Sequence, residues 1–373
     1  MKVAILTITD GANYGNRLQN YALQETIKNL GFEVETIKRK TFRDKTGIAR
    51  VIELVKMVVK RCFGKNYNYY YEQRRKKFSA FNDKYIKFST EVIGNNIALE
   101  GLNDKFDYFV CGSDQVWNAR IPIVKEDLSN YLASFASGEK RIAYAASFGT
   151  SDIPEEDSVL FKKQLELFKA IGLRETDGLN IVQRLTGRMD AEVVLDPTML
   201  LSAEEWSRIA KRPSFVKENA PYIVTYFLGG RNQNITEYVT CLANKSRCDV
   251  YNLENEFRAD DIDDINVYKA DPQEFVWLIK NAEYVLTDSF HATVFSILFH
   301  KKFRVFERKE CEQGNNMSSR ITTLLGYFGL VAWSDNIDNP TNIPLEYDGK
   351  NVDFVIDSKK RESFRFLKNA LNV

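Results

Sequence analysis

The 373-residue chain has only two histidines, His291 and His300. The first sits where an imidazole can act. His291 lies in LTDSFHATVF, in the first turn of a helix that follows a strand, with Asp288 and Ser289 just ahead of it. A lone imidazole there can give or take a proton near neutral pH. His300, at the far end of the same helix, reads as a solvated or C-capping residue. Arg174 follows a short strand in IGLRETDGLN. A guanidinium at a strand end can hold a phosphate or carboxylate in two-pronged fashion; pairing with Glu175 or Asp177 is the plainer alternative. Asp114, in VCGSDQVWN, is a carboxylate at the end of a buried strand, suited to take or orient a hydroxyl proton. Helix capping by Ser113 or Asp114 is its plainer reading.

Two further segments suit an anion. In TDGANYGNRLQNYALQ, residues 9–24, the glycines let backbone amides approach a ligand. The helix that follows offers unpaired N–H groups and the positive end of its dipole. Asn13, Asn16, Arg17 and Gln19 add donors. A simple βα turn with asparagines in awkward backbone angles is the alternative, since the full GxGxxG spacing is absent. Arg320 heads an apolar helix in NNMSSRITTLLGYFGL beside Ser318 and Ser319, which reads equally as an oxyanion site or a capped surface helix. Two histidines and five cysteines without a CxxC pair give no expectation of a metal site. The odd cysteine number fits a reducing compartment.

The elements that must position these residues follow from periodicity. Apolar strand-length runs at Val3–Ile8, Glu33–Ile37, Phe106–Cys111, Arg141–Ala146, Ile171–Arg174 and Glu192–Leu195 alternate with helical spacing. After Pro213 the pattern restarts: strands at Tyr222–Leu228, 248–253, Tyr284–Thr287 and Phe303–Phe306, with helices between them. The expectation is two doubly wound, Rossmann-like α/β domains facing a cleft, with ligands beyond the carboxyl ends of the strands. The boundaries expected are 1–212 for the first domain, 213–357 for the second and 358–373 for a C-terminal helix that packs back on the first.

Composition narrows the partners. The net charge is +1, which gives no reason to expect nucleic acid. The N-terminal apolar run is too short for a signal peptide and no stretch approaches the ~18 apolar residues of a membrane span, so a cytoplasmic location is expected. Residues 38–87 stand apart, with sixteen Lys/Arg against four Asp/Glu and interleaved aromatics. This basic helical insertion is expected either to touch an anionic membrane surface from the cytoplasmic side or to form solvated helices over the first domain.

Taken in order, NYGNRLQ, GSD after a strand, a strand ending in SFG, Arg174 with its acidic neighbour, DPTML, and the helix of His291 followed by a short strand resemble the polysaccharide pyruvyl transferase family over nearly the whole chain. The Arg320 segment falls where the family usually holds a basic residue. One departure is Ser289, which stands two residues before His291 where the family often has arginine; Arg320, Arg308 and Lys302 are candidates to supply that charge. The resemblance implies a GT-B-like fold and phosphoenolpyruvate as donor substrate, without a cofactor. It also implies a sugar of a surface polysaccharide or lipid-linked oligosaccharide as acceptor, and a pyruvate ketal as product. On that expectation His291 is the general acid and Asp114 or Asp288 the base. Arg174, Arg320, Ser289, Ser113, Asn13, Asn16, Arg17 and Gln19 bind substrate. A GT-B-like glycosyltransferase using a nucleotide sugar, or a non-catalytic glycan-binding relative, are the alternatives.

Overall fold

The computed structural model describes residues 1–39, 67–94, 101–254, 264–307, 319–330 and 347–373. Among these, two parallel sheets carry the molecule. The first has seven strands in the order β3-β2-β1-β4-β5-β6-β7. They are β1 (Lys2–Leu6), β2 (Glu33–Arg39), β3 (Phe88–Ile93), β4 (Tyr108–Asp114), β5 (Arg141–Ala146), β6 (Ala170–Leu173) and β7 (Glu192–Val193). The second has the order β11-β10-β8-β9, from β8 (Tyr222–Phe227), β9 (Asp249–Glu254), β10 (Tyr284–Thr287) and β11 (Lys302–Val305). Every pairing is parallel. Strands β4 and β5 are buried along their whole length, as a parallel sheet covered by helices on both faces requires. This is the two-sheet parallel α/β architecture the strand–helix alternation led us to expect.

The longer helices are α1 (Tyr14–Asn29), α2 (Tyr67–Tyr85), α3 (Ser158–Leu165), α4 (Thr176–Thr186), α5 (Ala203–Ile209), α6 (Gln233–Ser246), α7 (Pro272–Asn281), α8 (Phe290–Leu298), α9 (Ser319–Tyr327) and α10 (Gly349–Leu371). Several start on side-chain caps. Asn13 caps α1, Ser202 and Asp271 close capping boxes on α5 and α7, and Ser289 caps α8. In the first sheet the strand order reverses between β1 and β4. The crevice beyond their carboxyl ends is where a doubly wound sheet takes its ligand.

One apolar core runs through both halves. Tyr14 of α1 stacks on Phe275 of α7 with ring centroids 4.4 Å apart, and Trp206 of α5 meets Phe295 of α8 at 4.9 Å. The C-terminal helix packs on the first sheet. Ser363, Phe366, Leu367, Ala370 and Leu371 form its buried face. Ser363 Oγ accepts a bond from Leu195 N at 3.0 Å, and Lys169 Nζ donates to Ala370 O at 2.7 Å. The helix starts at Gly349, nine residues before the expected 358, because Asp348 caps it by accepting from Lys350 N and Asn351 N.

The basic insertion is described over 67–87; residues 40–66 lie outside the described residues. One face of helix α2 packs on the protein: Phe78 and Phe81 are in the core and Arg74 is fully buried, while Arg75, Lys76 and Lys84 are exposed. Ile86 is buried, and Lys87 pairs with Glu33 and Glu35. The aromatic residues of that spacing, and Arg74 among the basic ones, form the face that packs on both halves of the protein. Edge strand β3 was not legible in the sequence; its pairing to β2 shifts register between Thr36 and Lys38. No helix among the described residues is long and apolar enough to cross a membrane.

Candidate active site

The crevice between β1 and β4 is tied by a ring of buried polar groups. Gln19 Nε2 donates to Thr7 Oγ1 at 2.9 Å, Thr7 Oγ1 donates to Ser113 O at 2.9 Å, and Ser113 N donates to Gln19 Oε1 at 3.2 Å. Gln19 is therefore spent on joining α1 to the two strands. Arg17 is likewise turned inward, donating to the carbonyls of Asp10 and Gly11. Asn13 accepts from Asn16 N at 3.3 Å, fixing the first turn of α1. Gln19 and Arg17, expected as substrate donors, shape the loop instead; Asn13 and Asn16 are half-buried at its mouth.

Asp196 is the hub of the charged cluster, and the sequence reading did not single it out. It follows β7 in DPTM. Oδ1 caps the next turn, accepting from Thr198 N at 3.0 Å and Thr198 Oγ1 at 2.6 Å. Its Oδ2 faces the crevice, where it accepts from Ser113 Oγ at 2.8 Å and Arg174 Nη1 at 3.2 Å and lies 3.7 Å from His291 Nε2. Burial pushes this carboxyl up, but His291, Arg174 and the Thr198 bonds outweigh it, and its pKa falls below the ordinary 3.8. Its sequence signals were its place in DPTML and an aspartate before proline at a strand end, which reads first as an N-cap.

Arg174 leaves β6 into this cluster and is almost wholly buried. Besides Asp196, its Nη2 lies 3.7 Å from Asp114 Oδ1 and its Nε 4.0 Å from Glu175 Oε2, with Phe290 stacked 4.7 Å from the guanidinium. Three carboxylates around one guanidinium differ from the open anion clamp expected. Nε and Nη2 are nonetheless buried without a hydrogen-bond partner. Glu175 holds the SFG loop: its Oε1 accepts from Ser147 Oγ, Phe148 N and Gly149 N at 2.9, 2.9 and 3.1 Å. Asp114 ends β4 with a left-handed φ of 74°, which turns the chain so that its carboxylate points at Arg174.

His291 arrives from the other half, in the first turn of α8. It rests on α1: a Cβ placed on Gly15 would lie 2.1 Å from His291 Nδ1, so only glycine admits the ring there. His291 is 7 % exposed, and its Nε2 has no hydrogen-bond partner. Burial lowers its pKa below the ordinary 6.5, Asp196 and Asp114 oppose the shift, and Arg174 and Arg320 reinforce it. Burial thus favours the neutral imidazole when no anion is bound. Arg320 is buried at the head of α9, whose Thr323 Oγ1 accepts from Thr176 N at 3.4 Å, beside Arg174 and Glu175.

Two expected residues carry structural bonds. Asp288 closes the loop after β8, its Oδ1 accepting from Leu228 N at 2.6 Å and its Oδ2 from Gly229 N at 2.7 Å. Both oxygens are engaged by backbone amides, a structural part beside the one expected of it as a base. Ser289 caps α8 by accepting from Ala292 N. Of the candidates to replace the arginine at that position, Arg320 is in the cluster. Lys302 begins β11 at the opposite edge, 3.5 Å from Glu283, and Arg308 lies outside the described residues. His300 is half-exposed and pairs with Asp353 Oδ1 at 3.0 Å.

Residues 13–310, most of the chain, match the family described as polysaccharide pyruvyl transferase. The chain belongs to the polysaccharide pyruvyl transferase family. It is accordingly a transferase. The matched span runs from Asn13 through the cluster at Asp114, Arg174, Asp196 and His291, and ends before Arg320. Comparison with curated proteins gives no match. Among solved structures, the chain is similar to a functionally uncharacterised protein of Klebsiella pneumoniae subsp. pneumoniae NTUH-K2044. That likeness has 10% identity and a TM-score of 0.46 over 90% of this chain and 92% of that one. It is also similar to UDP-GlcNAc 2-epimerases of Methanocaldococcus jannaschii and Neisseria meningitidis. These have 13% identity each, TM-scores of 0.44 and 0.46, and coverage of 96% of this chain and 99% of each of theirs.

Proposed function

We propose that the chain transfers the enolpyruvyl-derived group of phosphoenolpyruvate to a sugar of a surface polysaccharide or its lipid-linked precursor, closing a pyruvate ketal. The observation that carries this reading is the meeting of two helix N-termini from different sheets, α1 at Gly15 and α8 at His291. Helix N-termini favour anions through unpaired N–H groups and the dipole. The donor carries a phosphate and a carboxylate; Arg320 adds positive charge at the same place, and Nε and Nη2 of Arg174, ion-paired but without a hydrogen bond, keep donors for it.

The steps balance as follows. The donor's negative charge favours imidazolium at His291, which burial alone disfavours. The imidazolium gives its proton to the methylene carbon, and C2 becomes oxocarbenium-like. A sugar hydroxyl adds to C2 while Asp114 takes its proton. The C–O bond to phosphorus breaks, and phosphate leaves with the proton held on Asp114. A second hydroxyl then closes the ketal and returns its proton to His291. Asp196 holds His291 and Arg174 in register throughout. A thermal-shift series tests the donor. Phosphoenolpyruvate is expected to raise Tm and nucleotide sugars to leave it unchanged; stabilisation by a nucleotide sugar alone would instead support the glycosyltransferase reading.

A further inference from the structure

Arg74 lies in the middle of α2, outside the charged cluster, and is 0 % exposed. An arginine so deeply buried must spend its donors on protein. Arg74 Nη1 donates to Glu254 O at 3.0 Å and Tyr268 O at 2.8 Å, and Nη2 donates to Ala12 O at 3.3 Å. The first two carbonyls belong to the half with the second sheet; the third belongs to the loop that opens α1. The guanidinium also lies 4.9 Å from the Tyr14 ring and 5.0 Å from the Tyr268 ring. Tyr14 repeats the connection: its hydroxyl donates to Ala270 O at 3.0 Å and its ring stacks on Phe275.

One residue after Tyr14 comes Gly15, pressed against His291. We propose that Arg74, acting with Tyr14, is a positioning residue: it pins the start of α1 to the second half and thereby sets how closely Gly15 and the α1 N-terminus approach His291. A planar, forked guanidinium can bind three carbonyls on two bodies at once, whereas an ammonium cannot match that geometry. The substitution Arg74→Lys therefore keeps the charge but breaks the tether. The groups facing His291 are Asp196, Arg174, Asp114 and Arg320, none of them on α2. A change at His291 in such a variant is therefore indirect, carried by the α1 backbone or by the Tyr14–Phe275–Phe295 contacts that lead to α8.

The catalytic consequence rests on the proposed pyruvyl transfer; the effect on His291 does not. With only two histidines, imidazole NMR of the full-length protein resolves both. In Arg74→Lys and Arg74→Gln we expect the His291 titration midpoint to rise toward 6.5 as the ring is uncovered, with His300 unmoved. Pyruvyl transfer should fall ~10²-fold in kcat, the scale on which a small misplacement of reacting groups is felt. Tyr14→Phe removes one hydroxyl and keeps the stacked ring, so it tests the same tether should the Arg74 variants not fold. It should move His291 the same way by a smaller amount. A His291 resonance and midpoint unchanged in Tyr14→Phe and in any folded Arg74 variant would overturn the proposal, whatever the donor proves to be. A shifted His291 in a protein that releases no phosphate from phosphoenolpyruvate would uphold the tether while removing the proposed function.

Discussion

At the scale of the residue, a buried imidazole is held between charges, disposed to neutrality by burial and to protonation by an anionic donor. Replacing His291 or Arg174 by alanine is expected to lower transfer at least ~10²–10⁴-fold, the usual contribution of a positioned acid or base, with the far-ultraviolet circular dichroism unchanged. Near-normal turnover in either variant would remove that residue from the mechanism. Gly15→Ala places a methyl carbon within 2.1 Å of His291 Nδ1. It should cost about 1–3 kcal/mol through overpacking and abolish turnover, as denaturant melts and single-turnover assays would reveal. Stability also carries a pH signature. Above 6.5 folded and unfolded chains both hold neutral imidazole; below it the unfolded chain binds a proton that the buried ring resists. Stability therefore falls as pH drops below 6.5. Asp196 acts in a lower window: its stabilisation is complete above 3.8 and is lost as pH falls through a native value below that. Melting wild type and His291→Gln between pH 7.5 and 5 should give a steeper fall in wild type; parallel curves would mean that His291 is not shielded. His291, Arg174 and Asp114 were legible because each stands at a strand's carboxyl end. Asp196 was not, because one of its oxygens does the ordinary work of a cap while the other does the unusual work. Asp288 shows the same ambiguity: a strand-end carboxylate can serve the next loop's amides as readily as a substrate.

At the scale of the element, periodicity gave nearly every strand of both sheets, since a strand buried on both faces is an uninterrupted apolar run. It failed at β3, an edge strand with a register shift; at α2 it foresaw the helix but not that Arg74 would be on the buried face. Only tertiary context tells an arginine facing lipid headgroups from one folded onto backbone carbonyls. The C-terminal helix is the element whose loss the fold should feel most simply. Phe366 packs between Gly172, where an added Cβ would lie 2.8 Å from its ring, and Tyr144, 6.2 Å away between centroids. Phe366→Ala should cost about 3–5 kcal/mol in urea melts, the range for a large aromatic removed from a core. A change under 1 kcal/mol would show that α10 is a peripheral addition and not part of the first sheet's packing.

At the scale of the whole molecule, the site exists only because the two halves touch. Asp114, Arg174 and Asp196 come from strand ends of one sheet, and His291 and Arg320 from helices after the other. The sequence pattern foretold a cleft, but not that the imidazole would rest directly on the first turn of α1. The central claim is that this junction activates phosphoenolpyruvate. The direct measurement is phosphate release from phosphoenolpyruvate in the presence of candidate glycan acceptors, with wild type beside His291→Ala. The account predicts release that needs both donor and acceptor and disappears in the variant. Acceptor-dependent release that survives in His291→Ala, or none from wild type with any glycan while a nucleotide sugar is consumed, would contradict it.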